Sequence, residues 1–135
     1  MIKKDSDSMT SELDIFKTIK IDSKVKIHAS NPGMRKHFRQ IFTGMGGRFT
    51  RLKIISLISK KPINAYKIAH ELQYDYTTIQ YNIKVLEEHN LIKKDEERYG
   101  EPYHVTYFLQ ENILSLEDVI KKVVEKIHSE KKYIS

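Results

Sequence analysis

The sequence predicts a mostly α-helical domain with one small β-hairpin, preceded by an N-terminal extension and followed by a long C-terminal helix. Three observations support this fold class. Apolar residues recur at helical spacing between residues 48 and 90, strand-like alternation surrounds a polar turn between residues 91 and 109, and one apolar stripe runs onwards from Leu116. With 135 residues, the chain has the length of one domain.

Composition narrows the class of protein. The chain has no cysteine, which excludes disulfides and thiolate sites and favours a reducing compartment. No segment approaches the roughly 20 apolar residues that span a bilayer, and no signal-peptide stretch begins the chain. We therefore expect a soluble, cytoplasmic protein without membrane contact. A formal net charge of +6 and a pI near 9.4 permit an anionic partner without requiring one.

Residues 1–47 form the N-terminal extension. Its polar beginning, up to about residue 12, predicts a frayed end. Further on, apolar residues alternate with lysines on both sides of Asp22, which predicts a short hairpin or one bent strand. These apolar residues are Ile19, Ile21, Val25 and Ile27. Asn31 and Pro32 then signal the start of a short amphipathic helix that reaches Phe42.

A cluster of glycines at positions 44, 46 and 47 separates this helix from the next one. A glycine-rich segment before a helix invites comparison with a phosphate-binding loop. The Lys-Ser or Lys-Thr ending of such a loop is missing, and no strand of the right type precedes the cluster. We therefore predict a hinge or a helix break.

Three helices follow, with clear start and stop signals. The first begins at Arg48 and ends before Pro62, because proline cannot continue a helix. Asn64 is a good N-cap for the second helix and Asp75 for the third, and a four-residue link, QYDY, joins the two. Asn90 is placed to end the third helix in a left-handed conformation. The apolar residues predicted to be buried are Phe49, Leu52, Ile54, Ile55, Ile58, Ala65, Ile68, Ala69, Leu72, Ile79, Ile83 and Leu86.

The segment from Leu91 predicts a β-hairpin. Its first strand contains Leu91 and Ile92, and its polar tip covers residues 98–102. The alternating apolar residues of the second strand are Val105, Tyr107 and Leu109.

Residues 48–110 resemble the winged helix-turn-helix regulators of the ArsR and MarR types, especially the small archaeal ones. The stretch RLKIISLISKKPINAYKIAHELQYDYTTIQYNIKVLEEHNLIKK carries the resemblance, and three helices followed by a hairpin is the order of this fold. Ala69 supplies the small residue inside the second helix, and Tyr74 the apolar plug of the turn. Gln73 and Asn90 stand where the family often has glycine, and both residue types tolerate the left-handed conformation.

The resemblance implies a sequence-specific DNA-binding transcriptional regulator. The third helix, about residues 75–90, would be a recognition helix in the major groove, and the hairpin, about residues 91–109, a wing on the backbone or in the minor groove. On the helix, the outward side chains are the candidate DNA contacts, namely Tyr76, Thr77, Thr78, Gln80, Tyr81 and Lys84. In the wing the candidates are Lys93, Lys94 and Arg98. A solvated surface is the alternative for each, and acidic residues interrupt the basic wing.

Residues 111–135 predict one long amphipathic helix. Its apolar stripe consists of Leu116, Val119, Ile120, Val123, Val124 and Ile127. Regulators of this kind usually dimerise to contact two DNA half-sites, so we predict that this stripe forms the seam of a homodimer. The alternative is packing on its own domain beside the helix from Met34 to Phe42.

No cofactor, metal site or catalytic site is predicted. The six histidines show no spacing that places two of them on one helical face, and no carboxylate pair, Ser/His/Asp arrangement or phosphate loop emerges. We therefore predict that the protein is not an enzyme. The alternative function is a winged protein-interaction module that contacts the transcription machinery, with the tyrosines as its central contacts.

Overall fold

The computed structural model of the chain describes residues 19–44 and 48–134, with only the backbone for residue 48 and for residues 127–134. In these residues six helices and a two-stranded sheet follow one another: α1 (Pro32–Phe42), α2 (Arg48–Lys60), α3 (Ala65–Leu72), α4 (Tyr76–Glu88), β1 (Ile92–Lys94), β2 (Tyr103–Val105), α5 (Tyr107–Glu111) and α6 (Ile113–Ile134). The mostly helical fold with a small hairpin is therefore confirmed. The predicted frayed end, and residues 45–47 of the glycine cluster, lie outside the described residues.

The starts of three helices follow from local side-chain chemistry. Asn31, Asn64 and Asp75 each accept a hydrogen bond from the backbone N–H three residues later, at 2.8–2.9 Å. Each bond satisfies one of the donors that a helix start leaves without an intrahelical partner. Gln73 and Asn90 have φ angles of 60° and 59°, so both adopt the predicted left-handed conformation.

Helices α2, α3 and α4 enclose the centre of the core. Ile55, Ile68 and Ile79, one from each helix, have no exposed surface. The link between α3 and α4 is short, and its Tyr74 is half-buried against the core. The ammonium of Lys53 donates to the Tyr74 hydroxyl at 3.4 Å. Tyr74 is therefore a structural residue, as predicted.

The hairpin is shorter than predicted. Strands β1 and β2 pair in antiparallel register from Ile92 opposite Val105 to Lys94 opposite Tyr103. Tyr103 also donates its backbone N–H to the carbonyl of Ile63 at 2.9 Å, which brings the segment between α2 and α3 against the hairpin.

The second strand ends at Val105, so the prediction that it continues through Tyr107 and Leu109 was wrong. Thr106 ends it, because its hydroxyl donates to the Asn90 carbonyl at 2.7 Å and accepts from the Leu109 backbone N–H at 3.2 Å. These bonds make Thr106 the N-cap of α5.

The segment before α1 was predicted as a hairpin or bent strand, which was also wrong for its described part, because residues 19–30 contain no strand. Its backbone forms hydrogen bonds with residues of α5 instead. The N–H of Asp22 donates to Gln110 Oε1 at 2.7 Å, and the N–H of His28 donates to the Glu111 carbonyl at 2.8 Å. The alternation therefore belongs to an irregular segment that turns after Asp22, where the Val25 N–H donates to the Asp22 carbonyl at 2.9 Å, and that is bonded to α5.

The stripe of α6 is covered by the chain itself. Helix α6 packs along α1, whose Phe38 and Phe42 are fully buried. Four stripe residues are buried in this way, namely Leu116, Val119, Ile120 and Val124. Val123 is half-buried, and the side chain of Ile127 lies outside the described residues. The prediction that these four residues form a dimer seam is therefore corrected. A dimer formed through them would have to separate α6 from α1 and uncover the apolar surface of α1.

We expect Ile120→Ala to lower the free energy of unfolding by about 2–5 kcal/mol, since it opens a cavity between helices of one chain. Urea unfolding followed by circular dichroism measures this loss. Lys121→Ala, at the exposed neighbouring position, is the control and should change stability little. Ile120→Ala should lower the unfolding midpoint without changing how the midpoint depends on protein concentration. A variant that removes a concentration dependence present in the parent protein would instead indicate that the stripe is buried between two chains.

Candidate nucleic-acid interface

Helix α4 has one buried face and one exposed face. Its buried side chains are Ile79, Asn82, Ile83 and Leu86. Thr77, Gln80 and Lys84 are exposed, and Tyr81 keeps 62% of its surface exposed. These four predicted contacts therefore share an outer surface, and their contact with DNA stays a prediction.

Two of the predicted contacts on α4 are less accessible than expected. Tyr76 is half-buried and packs against the core, and its ring meets that of Tyr66 edge-to-face with 5.5 Å between centroids. Thr78 is half-buried as well. The prediction that Tyr76 points fully outward is therefore corrected, because an aromatic ring at the first position of α4 is close enough to α3 to pack on it.

A buried polar network, not foreseen from the sequence, holds α4 in place. Asn82 is only 2% exposed, and its side-chain oxygen accepts from Arg51 Nε at 2.9 Å. Arg51 Nη1 also donates to the Ile41 carbonyl at 2.8 Å, and its guanidinium lies 6.0 Å from the ring centroid of Tyr81. The network joins α1, α2 and α4. Its sequence signal was the asparagine on an otherwise apolar helix face.

The basic residues of the hairpin are largely engaged within it. Arg98 forms ion pairs with Glu96 at 3.1 Å and with Glu101 at 3.2 Å. The ammonium of Lys94 lies 5.5 Å from the ring centroid of Tyr103, whereas Lys93 is exposed. Residues 93–101 contain three basic and four acidic side chains, a formal charge of −1. The hairpin is therefore a weaker site for phosphate than its lysines and arginine alone indicate.

A groove of about 510 Å³ lies between α4 and the hairpin. Four tyrosines from three segments contribute to its walls, namely Tyr66, Tyr76, Tyr99 and Tyr103. Lys84 and Glu87 of α4 line it as well. The hairpin turn is drawn towards the start of α3, because Asn64 Nδ2 donates to the Gly100 carbonyl at 3.4 Å. Gly100 has a φ of 83°, a conformation that glycine adopts without strain.

Burial changes the acidity of two groups in this groove. It raises the pKa of Tyr103 to about 12, with a further contribution from the carboxylates of Glu87 and Glu97. Burial also raises the pKa of Glu87, where Lys94 acts in the opposite direction and Glu97 adds to the increase. Both groups therefore favour their neutral forms more than they would in water.

Comparison of the chain with models of protein families, with curated proteins and with solved structures found no match. Among the described residues, no helix has both the length and the apolar character needed to cross a membrane.

We expect Arg51→Met to lower the free energy of unfolding by about 1–3 kcal/mol, because it leaves the Asn82 oxygen and the Ile41 carbonyl without this donor. Urea unfolding measures the loss, and Lys60→Met, at an exposed site on the same helix, is the control. The double variant with Asn82→Leu should lose less than the two single losses added, since it leaves no buried amide unpaired. Simple additivity would argue against the network.

The raised pKa of Tyr103 predicts a loss of stability at high pH. Folding raises this pKa from the ordinary 10.0 to about 12, so the native state is stabilised below pH 10 and loses this contribution as the pH rises towards 12. The urea midpoint should therefore fall more steeply above pH 10 in the parent protein than in Tyr103→Phe. Equal slopes in both proteins would contradict this assignment.

Proposed function

We propose that residues 48–110 form a winged helix-turn-helix domain and that the protein is a sequence-specific, DNA-binding transcriptional regulator. Helix α4 would be the recognition helix in the major groove, and the hairpin would be the wing. The observation that carries this proposal is the outer face of α4, where Thr77, Gln80, Tyr81 and Lys84 are exposed opposite a buried face.

The order and connections of the elements support the proposal. The link between α3 and α4 is only three residues long and contains the left-handed Gln73. Strand β1 begins two residues after the left-handed Asn90, and Ile63 pairs with β2. The segment between α2 and α3 thus pairs with the hairpin, and α3, α4 and the hairpin follow it along the chain. This order is compatible with a winged domain.

The side chains on this face suit complementary tasks. Gln80 has both a donor and an acceptor and can bond adenine in a bidentate manner. Lys84, one turn further along, can contact a phosphate, and Thr77 can contact a phosphate or a thymine methyl. Tyr81 offers a flat ring for sugar packing and a hydroxyl for one hydrogen bond. Base choice would therefore depend mainly on Gln80.

The hairpin would contribute less than the resemblance implies. Arg98 would have to leave Glu96 and Glu101 before contacting a phosphate, and these carboxylates would repel the DNA backbone. Lys93 is the better candidate, because its side chain is exposed and forms neither a hydrogen bond nor an ion pair among the described residues. Contact with two half-sites by a homodimer belongs to the proposal, through a surface other than the four buried stripe residues.

A protein-interaction module is the second candidate, and the ion pairs of Arg98 favour it. A hairpin that neutralises its own arginine resembles a protein contact surface more than a phosphate site. Tyr66, Tyr81 and Tyr99 are all more than half exposed, and tyrosine is a frequent central contact residue in protein interfaces. The partner would be a component of the transcription machinery.

Selection of sites from a random duplex pool tests the first candidate. On a selected site, Gln80→Ala should weaken binding by about 1–3 kcal/mol and relax the choice at one base pair. Gln40→Ala, which alters an exposed glutamine on α1, is the matched control. Lys84→Ala should reduce the slope of log K against log salt by about 0.9, whereas Lys121→Ala on α6 should not.

The same measurements separate the two candidates. Binding to duplexes that Gln80→Ala and Lys84→Ala leave unchanged would show that α4 is not the recognition helix. A protein that shifts no duplex at any salt concentration would favour the interaction module.

A further inference from the structure

Glu87 is an acidic side chain that the proposed contact with DNA does not use. Glu87 lies on the groove wall formed by α4, it is half-buried, and burial raises its pKa. Among the described residues its carboxylate makes no hydrogen bond and no close ion pair, and Lys94 supplies the attraction that acts on it. A half-buried carboxylate without a hydrogen-bond donor is unfavourable, so this position suits a ligand that donates hydrogen bonds.

The tyrosines of the groove offer stacking surfaces to such a ligand. Tyr66 is 67% exposed and Tyr99 is 90% exposed, and the bond between Asn64 and Gly100 brings their segments together. Tyr103 is different, because the ammonium of Lys94 already lies over its ring. A groove of about 510 Å³ lies within the range of small-ligand sites. Aromatic side chains of this kind stack on nucleobases.

The charged side chains of the groove suit a ligand that carries a phosphate. Lys84 and Lys94 both line it, while Glu101 is already paired with Arg98. Glu87 is therefore the acidic side chain of the lining that lacks an ion-pair partner, and the two lysines outnumber it. The groove thus combines stacking surfaces, two cations and one hydrogen-bond acceptor.

We propose that this groove binds a nucleotide. The base stacks on Tyr66 and Tyr99, the phosphate binds Lys84 and Lys94, and the carboxylate of Glu87 accepts hydrogen bonds from the base. Guanine offers this carboxylate two neighbouring N–H groups, whereas adenine and cytosine each offer one amino group. Uracil offers only a ring N–H flanked by two carbonyl oxygens, which repel a carboxylate. Affinity should therefore decrease from guanine to adenine and cytosine, and then to uracil.

Occupancy of the groove would also affect duplex binding. Lys84 belongs both to the groove and to the outer face of α4, and Gln80 lines the groove as well. A bound nucleotide and a duplex would therefore compete for these side chains. This competition rests on the proposed function, whereas nucleotide binding itself does not.

Isothermal titration of the full chain with GMP, AMP, CMP, UMP and guanosine tests the proposal. GMP should bind most tightly. UMP should bind more weakly because uracil has no pair of neighbouring N–H donors, and guanosine should bind more weakly because it has no phosphate. Short single strands of guanine and of uracil distinguish the source of the nucleotide. A guanine strand that binds more tightly than GMP indicates an unpaired nucleotide in a strand, and equal affinity indicates a free nucleotide.

Two pairs of variants locate the site. Tyr66→Ala should weaken GMP binding by at least about 5-fold, as expected for the loss of base stacking. Tyr81→Ala, which removes a similarly exposed tyrosine outside the groove lining, should leave GMP affinity unchanged. Glu87→Gln should reduce the preference for GMP over UMP, while Glu88→Gln, at the exposed neighbouring position, should retain it. Circular dichroism checks that each variant is folded.

The absence of binding by every nucleotide, or equal affinity for GMP and UMP, would overturn the proposal. Equal losses in Tyr66→Ala and Tyr81→Ala would do the same. The two proposals fail separately. Nucleotide binding without any duplex shift would contradict the proposed function alone, and duplex binding without nucleotide binding would contradict this site alone.

Discussion

The position of α4 depends on one buried amide. Asn82 lies on the helix face that packs into the core, where an unpaired amide would cost free energy. Arg51 supplies its partner and at the same time donates to the carbonyl of Ile41. Apolar contacts have no preferred direction, so apolar packing alone would allow α4 to rotate or slide by small amounts. The two directional bonds restrict α4 relative to α1 and α2, and the outer face of α4 is restricted with it.

This constraint extends to both ends of the described chain. Arg51 holds the last turn of α1, and α1 packs along α6. The segment before α1 is bonded in turn to α5, and the N–H of Asn31, the N-cap of α1, donates to Ser115 Oγ in α6 at 3.1 Å. Residues 19–44 of the N-terminal extension and the C-terminal helix therefore pack together with the three central helices. A change in how α1 and α6 pack would reach α4 through Arg51.

Local features of the fold could be predicted, because they depend on neighbouring residues. Asn64 and Asp75 cap helices with their own side chains, and Asn90 ends a helix through its own backbone conformation. Contacts between distant parts of the chain could not be predicted. The alternation around Asp22 does not show whether the segment pairs with a strand or bonds to α5, and an apolar stripe shows that a face is buried without showing what covers it.

In the candidate site, too, local features could be predicted and long-range contacts could not. Helical periodicity was enough to place Gln80 and Lys84 outward, because one helix determines that face. The sequence could not show that Arg98 is neutralised, since this depends on how the hairpin turn folds back on Glu96 and Glu101. Nor could it show the groove, whose tyrosines come from α3, α4 and the hairpin. Lys84 belongs to both surfaces, so a ligand in the groove and a duplex on α4 would draw on the same charge. This sharing provides a physical route by which a small ligand could control the larger partner.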